Sequence, residues 1–315
     1  ATVALEAGSH INIRQAEGHI RSLRACGGTE ILKGIQAGLQ EIRRNGRLEQ
    51  TKHIILITDG HTYGDEAACQ RLADEAAKQN IGLSSLGIGS KWNDELLDNL
   101  AARTGGNCIY IYNPQDIRQY LTQKLNRLEK TYVEGLKFSF QPGPGATLNY
   151  GFRLNPEVGV LPTSSSIHLG SMPKGGRQQI LFEFIIDPIP NGVKQTLLID
   201  GDFSFDIPSK SASYRIPVTF TRPAQADFPS EPPPPLIAKA LSKLTLYRMQ
   251  EEAQAEISRG QLEEASNRLK NVATHLLSQG NINLARTIVF EAERINTNHS
   301  FSGNTVTNRG NEIEP

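Results

Sequence analysis

One hydroxyl and one carboxylate in this sequence stand where loops should meet the same edge of a sheet. Gly27-Gly28-Thr29-Glu30 reads as a glycine turn that opens a helix and presents the Thr29 hydroxyl. Further on, His53–Tyr63 reads HIILITDGHTY, in which Ile54 to Thr58 are apolar or β-branched with no alternation. That is the pattern of a strand buried on both faces of a parallel sheet. The run stops at Asp59-Gly60, which places a carboxylate at the carboxyl edge, where open α/β sheets bind ligands. A neutral oxygen and a carboxylate are ligand types for Mg²⁺, a hard cation that takes near-octahedral oxygens and keeps several waters. The plainer account has Thr29 capping the helix after it and Asp59 capping the loop after its strand.

Other residues with chemical potential carry less. His61 lies two residues past Asp59, so an Asp59/His61 hydrolase is the catalytic alternative. The remaining histidines are scattered and no Gly-x-Ser-x-Gly elbow is present, so His61 reads as an exposed residue on the rim of a binding face. Trp92, after Ser90-Lys91 at the same edge, is either an anchor for a partner or a half-buried loop aromatic. Gly87-Ile88-Gly89-Ser90 lacks the Lys-Ser/Thr that a phosphate loop needs and reads as a turn. Asp200-Gly201-Asp202-Phe203-Ser204-Phe205-Asp206 has Phe205 and Ser211 where a calcium loop needs Gly and Glu. Its alternation puts the acids on one face of a strand.

The elements that must position these residues follow from the pattern. Short strands are expected at Thr2–Leu5 and His10–Ile13, and a helix over Gln15–Arg24. A second helix after Thr29 carries Ile31, Leu32, Ile35, Leu39 and Ile42 on one face and is stopped by Asn45-Gly46. Then come a helix over Asp65–Gln79, a strand over Leu83–Ile88, a helix over Asn93–Arg103 with Leu96, Leu97 and Leu100 inward, and a strand over Cys108–Tyr112. The last helix of this part is striped by Ile117, Leu121, Leu125 and Leu128. Strand–helix alternation predicts a doubly wound, mostly parallel α/β sheet over residues 1–131.

From Tyr132 the helical period is lost. Runs at Leu136–Phe140, Ser166–Leu169, Gln179–Ile186, Gln195–Ile199, Phe203–Ile207 and Tyr214–Phe220 alternate with Pro, Gly and Ser turns, predicting a β-sandwich-like domain over 132–222. Residues 223–235, ending in Pro232-Pro233-Pro234-Pro235, form a stiff linker. Residues 236–296 are helical, with one stripe at Leu262, Ala265, Leu269, Val272 and Leu276 and another at Ala285, Ile288, Val289 and Ala292. The Asn/Thr/Gly/Ser-rich tail, 297–315, is expected to be disordered.

The totals bound the function class. Lysine plus arginine equal aspartate plus glutamate at 33 each, so no basic excess steers the chain of 315 residues to nucleic acid. No apolar run reaches the ~20 residues of a membrane span. Cys26, Cys69 and Cys108 are far apart with no metal-binding spacing and read as small core residues. The chain opens on Ala1 rather than Met, so the want of a leader decides little about compartment; the cytoplasm is the expectation.

In order and spacing, GGTEILKGIQAGL, IILITDG, SLGIGSKWNDELLDNLAARTGG and NCIYIYNPQDI resemble the von Willebrand factor A domain, a Rossmann-like fold, from Ala1 to about Lys130. The resemblance implies a metal-ion-dependent adhesion site, built in that family from an Asp-x-Ser-x-Ser loop, a Thr and an Asp. Thr29 matches the Thr and Asp59 the Asp, whereas the Asp-x-Ser-x-Ser loop has no match, as though the chain began downstream of it. The expectation is a non-catalytic protein-interaction module. In the intact protein, Mg²⁺ would bridge to a carboxylate of a protein partner, with Gly28, Glu30, Gly60, His61, Thr62 and Trp92 around it. The alternatives are a metal-free adaptor acting through the C-terminal helices, the Asp59/His61 hydrolase, and a substrate-recruiting subunit of an ATPase machine.

Overall fold

The structure, a computed structural model, describes residues 13–22, 24, 28–45, 50–88, 93–111, 114–224, 232–278 and 282–298. Helices α1 (Ile13–Ser22) and α2 (Ile31–Asn45) lead into alternating elements: β1 (His53–Thr58), α3 (Glu66–Lys78), β2 (Gly82–Ile88), α4 (Asp94–Thr104), β3 (Cys108–Ile111) and α5 (Pro114–Glu129). The strands lie parallel in the order β1-β2-β3, with Ile54 opposite Leu83 and Leu86 opposite Ile109. The period of two divides the apolar side chains between the two faces. Ile54, Leu56 and Leu83 pack with Ile31, Ile35 and Leu39 of α2 and Leu97 and Leu100 of α4. Ile55, Leu86 and Ile111 pack with Ile117, Tyr120 and Leu121 of α5. Sheet and helices make the expected α/β unit.

Local signals set the ends of α4. The Asn93 side chain accepts from the Leu96 N–H at 3.0 Å, and Gly105 closes the helix in the left-handed region at φ 72°. A Cβ at Gly105 would also run into the backbone of Gly170, so glycine serves both the cap and the packing of this turn on the β unit.

Three expectations for this unit change. The helix placed at Gln15–Arg24 begins at Ile13, and the rest of the two strands placed before it lies outside the described residues. Ile57 is 46% exposed rather than buried on both faces, because β1 is an edge strand among the described residues. Leu125, placed on the inward stripe of α5, is 58% exposed, and Tyr120 and Lys124 are buried instead. The helix is turned so that Lys124 reaches Glu157 of the next unit.

That unit contains β4 (Thr131–Pro142), β5 (Ala146–Asn155), β6 (Gly159–Leu161), β7 (Ser166–Pro173), β8 (Gln179–Ile186), β9 (Gln195–Ile207) and β10 (Ala212–Pro223). They form antiparallel sheets in the orders β10-β9-β4-β7 and β6-β5-β8. Phe138 sits at the centre, its ring 4.6 Å from Phe203 of its own sheet and 5.8 Å from Phe182 of the other. Pattern reading missed β5 and β6, where Gly145, Gly151 and Asn155-Pro156 resemble turns. It also split β9 at Gly201, which is a point of close approach: a Cβ there would strike Ser139 O and Phe140 of β4. The acids of β9 are paired across the ladder, Asp200 with Thr219, Asp202 with Arg215 and Asp206 with Ser213 of β10.

The chain closes with α6 (Pro235–Ser258), α7 (Leu262–Ser278) and α8 (Ile282–Asn298). Ala265, Leu269, Val272, Ala285, Ile288 and Ala292 make a core of their own, while Val289, expected in it, is 37% exposed. Ala240 and Leu244 of α6 pack on Phe152 and Leu154 of β5, which ties the helices to the sandwich. Among the described residues no helix is long and apolar enough to cross a membrane.

Candidate functional site

At the carboxyl edge of the parallel sheet the chain brings two separate loops together. A side chain at Gly60 would collide with Thr29 Oγ1, so the turn before α2 and the turn after β1 touch. Asp59, beside Gly60, is exposed, and Thr29 is half-buried. The β1 turn is held by its own side chain, Thr58 Oγ1 donating to Gly60 O at 3.2 Å.

The clamp between the loops is Asp65, which sequence reading left among ordinary helix residues. It stands at the N-cap of α3 without capping it. One carboxylate oxygen accepts from the Leu32 N–H at the start of α2 at 3.3 Å, and the other from Thr62 Oγ1 at 2.6 Å. A free helix N-terminus attracts a carboxylate through its unpaired N–H groups and its dipole. Here that attraction fastens the loop after β1 to the helix after Thr29. Thr62-x-x-Asp65 ahead of a helix was the available signal, but it pointed to a local cap.

The expected rim residues separate. Gly28, Glu30 and His61 are exposed and Gly60 is half-buried. Glu30 pairs with Lys33 at 2.6 Å, and the His61 ring stacks on Tyr63 with centroids 5.9 Å apart. Thr62, expected on the binding face, is 2% exposed: its hydroxyl is spent on Asp65, so it positions the loop. Trp92 lies outside the described residues. Thr29 and Asp59 offer two oxygens of the kind Mg²⁺ takes, against about six in its octahedron. Among the described residues no group of three or more His, Cys, Asp or Glu is placed to hold a metal. The donor types fit, and these two residues do not complete a site.

The opposite, amino end of the sheet is built differently. Asn107 Oδ1 accepts from Lys124 Nζ at 2.8 Å, Ser84 Oγ at 2.9 Å and Tyr120 Oη at 3.2 Å. Since Ser84 gives its proton to Asn107, its contact with His53 Nε2 at 3.0 Å makes that nitrogen the donor. Burial, with Lys124 nearby, holds the His53 imidazole down at about 3, so it is neutral at physiological pH. Glu157 of the β unit accepts from Lys124 at 3.3 Å and Arg127 at 2.9 Å. Burial opposes ionisation of Glu157, and the combined fields of Lys124, Arg127 and Arg153 outweigh it, holding the carboxyl below its ordinary range. Arg153 donates to Glu157 O, Gly105 O and Gly106 O, stitching β5 to the end of α4.

Comparison with known proteins agrees with this architecture. Residues 1–127 match the family model of the von Willebrand factor type A domain. The N-terminal unit is a von Willebrand factor A domain. Residues 235–307 match a second model, the Sll0103-like C-terminal alpha-helical domain. The chain is 24% identical over 266 residues to the protein sll0103 of Synechocystis sp., a match covering 81% of this chain and 62% of that protein. A solved von Willebrand factor type A protein from Catenulispora acidiphila superposes with a TM-score of 0.64 at 15% identity, over 87% of this chain and 66% of the other. The ArnB paralog VWA2 of Sulfolobus acidocaldarius aligns with a TM-score of 0.47 at 15% identity, over 93% and 72%. The chain thus spans about two thirds or less of the first-named relatives. Von Willebrand factor A domains are commonly protein-interaction modules and generally non-catalytic.

Proposed function

We propose that this protein is a non-catalytic interaction module whose partner docks at the carboxyl edge of the parallel sheet, on Thr29, Asp59 and the exposed residues Gly28, Glu30 and His61 around them. The observation that carries this reading is the contact of the Thr29 hydroxyl with Gly60, which unites two loops beside an exposed carboxylate. The finer proposal is that Mg²⁺ bridges Thr29 and Asp59 to a carboxylate of a protein partner once further oxygen ligands complete the shell. The chemistry is then recognition: the cation supplies charge, and the loops clamped by Asp65 supply a fixed geometry.

The test is affinity capture with the full-length protein in Mg²⁺ or in EDTA, beside Thr29→Ala and Asp59→Ala variants. Retention in Mg²⁺ with loss in EDTA and in both variants is expected. Equal retention in all conditions sinks the metal role. A second reading, a metal-free adaptor working through α6–α8, is favoured by the separate core of those helices and the exposed Leu277, Ile282 and Phe290. Capture that survives deletion of residues 236–295 counts against it.

A further inference from the structure

A cavity of about 260 Å³ opens at the amino end of the sheet, where the α/β unit meets the β-sandwich. It lies one strand length from Asp59, since His53 lines it and β1 runs from His53 to Thr58, about 16 Å at the usual rise. Its lining is charged out of proportion to a chain whose formal net charge is zero. Lys52, Lys124, Arg127, Arg153 and Arg177 face two carboxylates, Glu134 and Glu157. The two histidines of the lining, His53 and His168, are held below their ordinary range chiefly by burial and cancel none of this charge.

Part of that charge is committed. Lys124 and Arg127 share the Glu157 carboxylate, Arg153 donates to the Glu157 carbonyl, and Glu134 accepts from Thr51 Oγ1 at 2.7 Å. The Lys52 and Arg177 side chains form no ion pair or hydrogen bond among the described residues. Lys124 and Arg153 are buried and Arg177 is exposed, so the cavity runs from interior to surface. Gln178, also in the lining, donates to Leu169 O at 2.9 Å and leaves its buried Oε1 with no donor. A buried acceptor in that state costs free energy until a donor reaches it.

We infer that this junction is a binding site for a small, multiply charged organic anion that also carries a hydroxyl. The excess of cations selects carboxylate or phosphate groups, Lys52 and Arg177 supply the uncommitted contacts, and Gln178 Oε1 accepts from the hydroxyl. A cavity of roughly 150 Å³ holds benzene, so this one takes a molecule of about a dozen heavy atoms. Lys52 and Lys124 belong to the α/β unit and Arg177 and Gln178 to the β unit, so the anion would tie the two units together.

The test is isothermal titration of the full chain with citrate, glucose 6-phosphate and inorganic phosphate at constant ionic strength. At least one organic probe should bind saturably, one per chain, and more tightly than phosphate. The Lys52→Gln/Arg177→Gln double variant should weaken it tenfold or more, and Arg177→Gln alone about threefold, with circular dichroism unchanged. Thr29→Ala, at the other end of the sheet, should leave the affinity as it is, which separates this site from the partner-binding face. No saturable binding by any probe overturns the proposal. So does an affinity that is the same in the double variant and the parent, or phosphate binding as tightly as the organic probes. If the double variant misfolds, the single variant decides alone.

Discussion

The two ends of one parallel sheet show opposite solutions to placing polar groups. At the carboxyl end Asp59 and His61 are exposed and Thr29 is half-buried, and their loops are fixed from behind by Asp65. At the amino end Lys124, Arg153 and Asn107 are buried and hydrogen-bonded, and Lys124 and Arg153 bond across the unit boundary. Exposed polar groups keep their water and are available to a partner, whereas buried ones must be satisfied internally. The proposed partner face uses the exposed groups at one end, while the buried groups at the other hold the units together. Substitutions in the buried network should therefore act on stability, and substitutions at Thr29 and Asp59 on partner capture.

The largest effect should come from Glu157→Gln. It leaves Lys124 and Arg153 without their anionic partner inside the protein, and breaking a buried pair in this way costs about 3–5 kcal/mol. Chemical denaturation measures it, and partner capture by the folded fraction should be unaffected. Acid should probe the same end through His53. A group held neutral in the folded state, at about 3, but titrating near 6.5 when unfolded gives stability that is fully present above pH 6.5. That stability falls as pH drops from there toward 3, on the order of 3 kcal/mol by pH 4. Thermal melts from pH 7.5 to 4 should show a steeper loss for the parent than for His53→Asn. A parallel loss in both rules His53 out as the cause.

Asp65→Ala should be intermediate, costing about 1–2 kcal/mol through the lost bonds to the Leu32 N–H and Thr62. Unlike Glu157→Gln it should also weaken partner capture, because the two loops are no longer held together. Amide exchange at the start of α2 reads this directly. Thr29→Ala and Asp59→Ala should change stability least, within about 0.5 kcal/mol, while abolishing Mg²⁺-dependent capture. A large stability loss in either would erase the contrast between the two ends.

Much of the fold was legible because period and punctuation are local. The unbroken run Ile54–Thr58, the leucines of α4 and the glycine closing it mark strand, helix and stop without reference to distant residues. Thr29 and Asp59 were legible for the same reason, each lying where an element meets a turn. Strands β5 and β6 were hidden because Gly145 and Asn155-Pro156 flank β5 like turns, and Gly151 inside it looks like another until Leu161 of β6 and Phe182 of β8 are seen packed against it. Leu125 misled because helical periodicity counts apolar residues, whereas α5 is oriented by an ion pair between Lys124 and Glu157.

The sequence by itself determined the order of units, the alternation that makes a parallel sheet, and the positions of a hydroxyl and a carboxylate at its carboxyl edge. These follow from backbone preference and side-chain spacing, which act over a few residues. Only the tertiary structure decided that Asp65 fastens α2 rather than its own helix, that Thr62 turns inward, and that cations from two units gather around Glu157. Charges and hydrogen-bond groups choose partners by distance in space. That distance is set only once the units have packed.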